Sequence, residues 1–134
     1  MTSKPMVQVA LKLTGQGFSA EDITRITELT PTKTWRQGDQ VQASKLVRKN
    51  DGWVLGLPER ETYDLDGLLI ELLDSIEPKA DRVFEAIGRF TLEPQISFGV
   101  YLRGEAPACL FSSGTIKRIC ALGAALDIDL ILGA

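Results

Sequence analysis

Six aliphatic residues, Leu65, Leu68, Leu69, Leu72, Leu73 and Ile76, recur at the i, i+3, i+4 spacing of one helical face. That stripe predicts a helix over residues 64–77 that must lie on a second apolar layer. Asp64 or Asp66 suits its start, where the helix dipole favours negative charge. Pro78 suits the first turn of a following helix, with Val83, Phe84, Ile87 and Phe90 inward.

The second layer is visible as period-two alternation. In VQVALKL, Val7, Val9, Leu11 and Leu13 share one face. In QISFGVYL, Ile96, Phe98, Val100 and Leu102 do the same, with Ser97, Gly99 and Tyr101 opposite. A face of each strand is polar, which points to a largely antiparallel or mixed sheet covered on one side by helices. FSAEDITRITEL adds a helix with Ser19 at the N-cap, Asp22 three residues on, and Ile23, Ile26 and Leu29 inward. It should stop near Thr30, because Pro31 disfavours helical geometry before it.

The remaining segments read as follows. VQASKLVRK is a strand joined through Asn50-Asp51-Gly52 to WVLGL, a hairpin over residues 41–57. ACLF is a short strand, Ser112 or Ser113 caps a helix carrying Ile116, Ile119, Cys120 and Leu122 or Leu126 inward, and IDLIL is a final strand. The order is β-α-β-β-α-α-β-β-α-β, an α+β two-layer domain. A ferredoxin-like plan fits it, although the pattern does not give the strand order. At 134 residues the chain fits one domain, residues 1–134.

Several chemistries are excluded by composition. The chain has no histidine, which removes Ser-His-Asp and Cys-His catalysis and most catalytic zinc sites. It has no GxxxxGK[ST] and no GxGxxG. Thr14-Gly15-Gln16-Gly17 stands between a strand and a helix, where an anion can bind, but two glycines are read more simply as a turn. Asp64/Asp66 is explained by capping, and Asp127/Asp129 is the better metal candidate, though outward acids on a strand are ordinary. Cys109 and Cys120 sit among apolar neighbours and read as buried free thiols. No cofactor and no metal is expected, and the absence of a recognised catalytic motif leans against an enzyme without deciding it.

MTSKPMVQV has neither the apolar core nor the cleavage site of a signal peptide, and no apolar run approaches a membrane span, so a cytoplasmic protein is expected. The net charge of −3 is uneven. Residues 1–60 hold nine Lys/Arg against six Asp/Glu, and residues 61–134 hold six against twelve. The densest basic stretch is Lys33, Arg36, Lys45, Arg48 and Lys49, opposed within it only by Asp39. It could meet an acidic partner. Overall acidity runs against nucleic acid, and a solvated hairpin face is the simpler reading.

Trp35 lies in this stretch with no apolar period around it. Two readings stay open. It anchors a protein interface or stacks on a planar ligand beside Arg36 and Asp39, or it closes the edge of the core while its N–H reaches a carbonyl. Trp35, Arg36, Asp39 and Arg48 are therefore the candidate binding residues. A non-catalytic protein-binding module comes first. A small-ligand sensor or enzyme, with a pocket between sheet and helices near Trp35, Tyr63 and Tyr101, comes second. A homodimer paired through ACLF or IDLIL is third.

The segments LKLTG, FSAEDITRITELTPT, WRQGD, DGWVL, LDGLLIELLDSIEP and ALGAALDIDLIL, in that order, resemble the bacterial DUF4279 family, a domain of unknown function. Together they span nearly the whole chain. The resemblance implies a single α+β domain with no established activity. Small bacterial proteins of this kind in toxin–immunity neighbourhoods suggest a binding role, that of an immunity-type inhibitor.

Overall fold

The computed structural model describes residues 4–132. The strands are β1 (Met6–Gly15), β2 (Lys33–Trp35), β3 (Asp51–Gly56), β4 (Arg60–Glu61), β5 (Glu93–Leu102) and β6 (Ala125–Leu132). The helices are α1 (Ala20–Thr27), α2 (Leu65–Ile76), α3 (Ala80–Phe90) and α4 (Ser113–Ala121), with a 3-10 turn, Glu77–Lys79, between α2 and α3. The fold is α+β.

The sheet runs β2-β3-β1-β5-β6, with the two residues of β4 paired to the start of β1. All pairs are antiparallel except β5–β6. β3 lies between β1 and β2, so the chain through β5 follows the split βαβ plan of ferredoxin-like proteins. α4 and β6 then append one parallel crossover at the edge.

The starts of α1, α2 and α4 are capped as the sequence marked them, while α3 has no side-chain cap. Ser19 Oγ accepts from Glu21 N–H, Asp64 Oδ1 from Gly67 N–H, and Ser112 Oγ from Thr115 N–H. Asp22 does not close a capping box, since its carboxylate pairs with Arg25 at 2.6 Å. α1 ends at Thr27, with Glu28 in the left-handed region.

One core sits between the sheet and the helices. Val7, Val9, Leu11 and Leu13 of β1, Ile96, Phe98 and Val100 of β5, and all six stripe residues of α2 are buried in it. Removing a fully buried residue of this size from water contributes about 1.5–3 kcal/mol. Trp53 joins them, and its indole N–H donates to Thr24 Oγ1 at 3.0 Å, which satisfies its polar atom. Ion pairs brace the helices: Glu28 meets Lys79 at 2.9 Å and Arg82 at 3.2 Å, and Arg118 reaches Asp74 and Glu77. Arg60 forks onto Glu71 and so ties β4 to α2.

Six expectations are corrected. Residues 41–49 form no strand of the sheet, because β2 already occupies the edge of β3. Asn50-Asp51-Gly52 is no hairpin turn, since Asp51 and Gly52 open β3. ACLF is irregular, because both edges of β5 are taken, by β1 and β6. Its Phe111 instead packs on Phe98, with ring centroids 5.6 Å apart. Cys109 and Cys120 are exposed. In α4 the inward residues are Thr115 and Ile119, followed by Leu122, which leaves Ile116 and Cys120 on an outer flank. Phe84, expected inward, is 42% exposed, and of the alternatives Leu122 and Leu126 it is Leu122 that is buried.

The face of the sheet away from the helices carries a second, smaller apolar site. Directly opposite residues share a face, so Trp35 lies over Gly52 on the side opposite Trp53. Trp35 is only 9% exposed, yet it is outside the main core. Its indole lies flat on the Gly52 backbone. A Cβ built on Gly52 would come within 2.1 Å of the ring, so no other residue fits there without moving the indole.

Gly52→Ala is therefore expected to lift Trp35 off the sheet and to cost about 2 kcal/mol in chemical denaturation, the scale of exposing one large apolar side chain. In 19F NMR of 5-fluorotryptophan protein, the Trp35 signal should move toward its solvent position while that of Trp53 stays. Unchanged spectra would contradict the packing.

The Glu28 carboxyl is held below its ordinary value, first by the Lys79 hydrogen bond and then by the nearby Arg82 charge. A lowered folded value means stability that is present above the unfolded pKa and lost as pH falls through the folded one. Glu28→Gln should lower Tm slightly at pH 7 and leave it unchanged at a pH below both values. A Tm deficit that persists in acid would point to a cause other than charge.

Candidate functional site

The candidate residues gather on the excursion between β2 and β3. Residues 36–50 leave the sheet edge and fold back on themselves. Gly38 N–H donates to Arg48 C=O at 2.9 Å, Arg48 N–H to Asp39 C=O at 2.7 Å, and Val41 N–H to Leu46 C=O at 2.9 Å. Residues 42–45 close the tip, with Ala43 in the left-handed region. The hairpin expected over 41–57 is thus displaced: its arms are 38–41 and 46–48, and it projects from the sheet.

Trp35 is the base of this excursion. The Arg48 guanidinium lies 4.0 Å from its ring centroid, on an indole whose other face rests on Gly52, and Lys33 Nζ is 5.8 Å away. Cation–π contacts of this kind contribute about 0.5–2 kcal/mol, more when desolvated. The indole N–H points at Asn50 Oδ1, 3.4 Å away. Both faces of the ring are therefore occupied by the protein itself. The indole is thus packed against the sheet with its N–H directed at an amide carbonyl oxygen, and stacking on a ligand would first have to displace Arg48.

Asp51 completes the attachment. One carboxylate oxygen accepts from Gly17 N–H at 2.9 Å and the other from Gln37 N–H at 2.8 Å. The glycine turn before α1 is thus met by an internal anion, which explains why it reads like an anion site. Asp39 accepts from Arg36 N–H at 2.8 Å and turns the chain locally. Sequence reasoning missed Asp51 because it was absorbed into an apparent turn signal. No local pattern reveals that one carboxylate reaches two loops.

The four candidate residues are only partly united. Trp35, Arg36 and Asp39 line a depression of about 300 Å³ with Phe18, Ser19 and Glu21. Arg48 covers the indole and is not part of that lining. The guanidinium of Arg36 and the side chains of Lys33, Lys45, Arg48 and Lys49 make no ion pair among the described residues. At the tip, Leu46 is 69% and Val47 57% exposed. The tip of the excursion therefore presents exposed aliphatic side chains next in sequence to cations that make no ion pair among the described residues.

The other candidates are dispersed. Tyr101 is on the same sheet face as Trp35 but at the far end of β1, eight positions along, or about 26 Å. Neither Tyr63 nor Tyr101 lines a depression with Trp35. A larger depression, about 450 Å³, opens on the helix-free face over Ala10 and Gly56, rimmed by Thr32, Lys33, Gln8 and Glu59. Gln8 Nε2 donates to Glu59 across that rim at 2.9 Å. Asp127 and Asp129 point to the same face from β6, and among the described residues no group of three or more His, Cys, Asp or Glu is placed to hold a metal ion. Among those residues, no helix is long and apolar enough to cross a membrane.

Comparison with known proteins gives one match. No curated protein and no solved structure matches the chain. The family model described as a domain of unknown function, DUF4279, matches residues 5–133, nearly the whole chain, and the chain accordingly belongs to the DUF4279 family.

Proposed function

We propose that this chain is a non-catalytic protein-binding module whose contact element is the 36–50 excursion. The observation that carries the reading is the tip: exposed Leu46 and Val47 flanked by Lys45, Arg48 and Lys49 without carboxylate partners among the described residues. Solvated loops ordinarily turn aliphatic side chains inward or do without them, whereas contact surfaces combine an apolar centre with a charged rim. The element is also fixed in place by Trp35, Arg48 and Asp51, so little order remains to be imposed on binding. The partner it fits has an acidic surface with an apolar notch. An immunity-type inhibitor, which blocks another protein by occupying its surface, belongs to this class and needs no catalytic group.

A second reading rests on the 450 Å³ depression. A cation and a carboxylate on its rim suit a small polar ligand, and binding there would require Glu59 to release Gln8.

The test of the first reading is site-specific photocrosslinking in the native cell. A benzoylphenylalanine at position 46 should capture a protein of acidic surface, and one at position 84, on exposed Phe84 of α3, should not. The position-46 adduct should vanish when Lys45→Glu and Lys49→Glu are combined in a chain that keeps its circular dichroism and Tm. No adduct from position 46, or one that survives the charge reversal, would remove the excursion as the contact element.

A further inference from the structure

The two edges of the sheet are unlike. At one edge β2 has three residues and leads at once into the excursion, which blunts it. At the other, β6 runs for eight residues, Ala125 to Leu132, and among the described residues only its inner side is paired, to β5. A long free edge displays a row of unpaired N–H and C=O groups, and natural sheets ordinarily protect such edges. Here the helix-side row of the strand is Leu126, Ile128, Leu130 and Leu132, without a charge. Leu130 is 54% and Leu132 84% exposed. The acids Asp127 and Asp129 are confined to the other face.

We propose that β6 is a self-association edge, pairing antiparallel with β6 of a second copy about a two-fold axis at Leu130. The occupant follows from the strand's own pattern. Around an axis perpendicular to the sheet, residue i faces residue j and j faces i. Centring on Asp129 sets two carboxylates directly opposite each other. Centring on Ile128 does the same with Asp127 and Asp129. Both are unfavourable, since like charges directly opposite each other destabilise a ladder.

Centring on Leu130 sets Leu130 against Leu130, Ile128 against Leu132, and Asp129 against Ile131. Of the registers that keep the acids apart, it pairs the longest described part of the strand. It leaves the two Asp129 carboxylates on a diagonal, about 7–8 Å apart, where salt screens them. The exposed leucines of both copies then lie side by side on the helix face. The result is one continuous sheet through both molecules, with the two blunt β2 edges outermost. This edge is separate from the excursion, so the inference stands whether or not the excursion binds a partner.

The test uses the full chain with Cys109→Ser and Cys120→Ser, both exposed positions. Analytical ultracentrifugation of this background should show a monomer–dimer equilibrium. Leu130→Lys, which sets two cations together at the axis, should weaken the dimer ~10-fold or more without lowering the monomer's helical signal. Leu130→Cys should form a disulfide dimer on mild oxidation, since directly opposite Cα atoms lie about 4.5–5.5 Å apart, within disulfide reach. Ile128→Cys alone should not, because its own copy is four positions away, roughly 13 Å. A mixture of Ile128→Cys and Leu132→Cys chains should cross-link heterotypically. A monomer at millimolar concentration would overturn the proposal. So would a dimer unaffected by Leu130→Lys, or equal cross-linking from positions 128 and 130.

Discussion

A tryptophan lying flat on a glycine organises the part of this molecule that faces outward. Gly52 has no Cβ, so the Trp35 indole can settle on the backbone of β3. That contact takes one face of the ring, and Arg48 takes the other. Since Arg48 sits on the returning arm of the excursion, the stack fixes a loop of fifteen residues to the sheet edge. Asp51 fixes the same loop from its far end, through Gln37, and couples it to the turn before α1 through Gly17. Without the stack the two arms would be joined by their few backbone hydrogen bonds and by the Asp51–Gln37 contact.

The layer structure was legible because it depends on periodicity. The α2 stripe and the alternations of β1 and β5 appear in the structure as read, and Ser19, Asp64 and Ser112 cap α1, α2 and α4. These are local features, decided within one or two turns of chain. What was misread depends on neighbours. ACLF has strand composition, but β6 returns in parallel and takes the place it would need beside β5. VQASKLVRK likewise lost its place to Lys33–Trp35, three residues too short to show a period. Cys120 has apolar neighbours in sequence, yet lies one position from the inward line of Thr115 and Ile119.

The candidate site was legible in composition but not in geometry. The cluster of cations and the isolated indole were visible in residues 33–49. The stacking of Arg48 on a buried Trp35 was not, because it requires knowing that Gly52 lies opposite Trp35 across the ladder. Asp51 was hidden for a similar reason. The indole therefore serves the basic tip indirectly: it is the mount, and Leu46, Val47 and the lysines are what it presents. A mount of this kind matters most to a protein that acts by contact, where order present before binding lowers the cost of association.

The central claim is that the 36–50 excursion is a fixed element held by the Trp35–Arg48 stack. Backbone 15N relaxation tests it most directly. In the native chain, residues 36–50 should have order parameters close to those of β1 and β3, near the ~0.85 of rigid backbone, and Trp35→Ala should drop them toward ~0.6 while the sheet is unaffected. Values already below ~0.6 in the native chain, or values unchanged by Trp35→Ala, would contradict it.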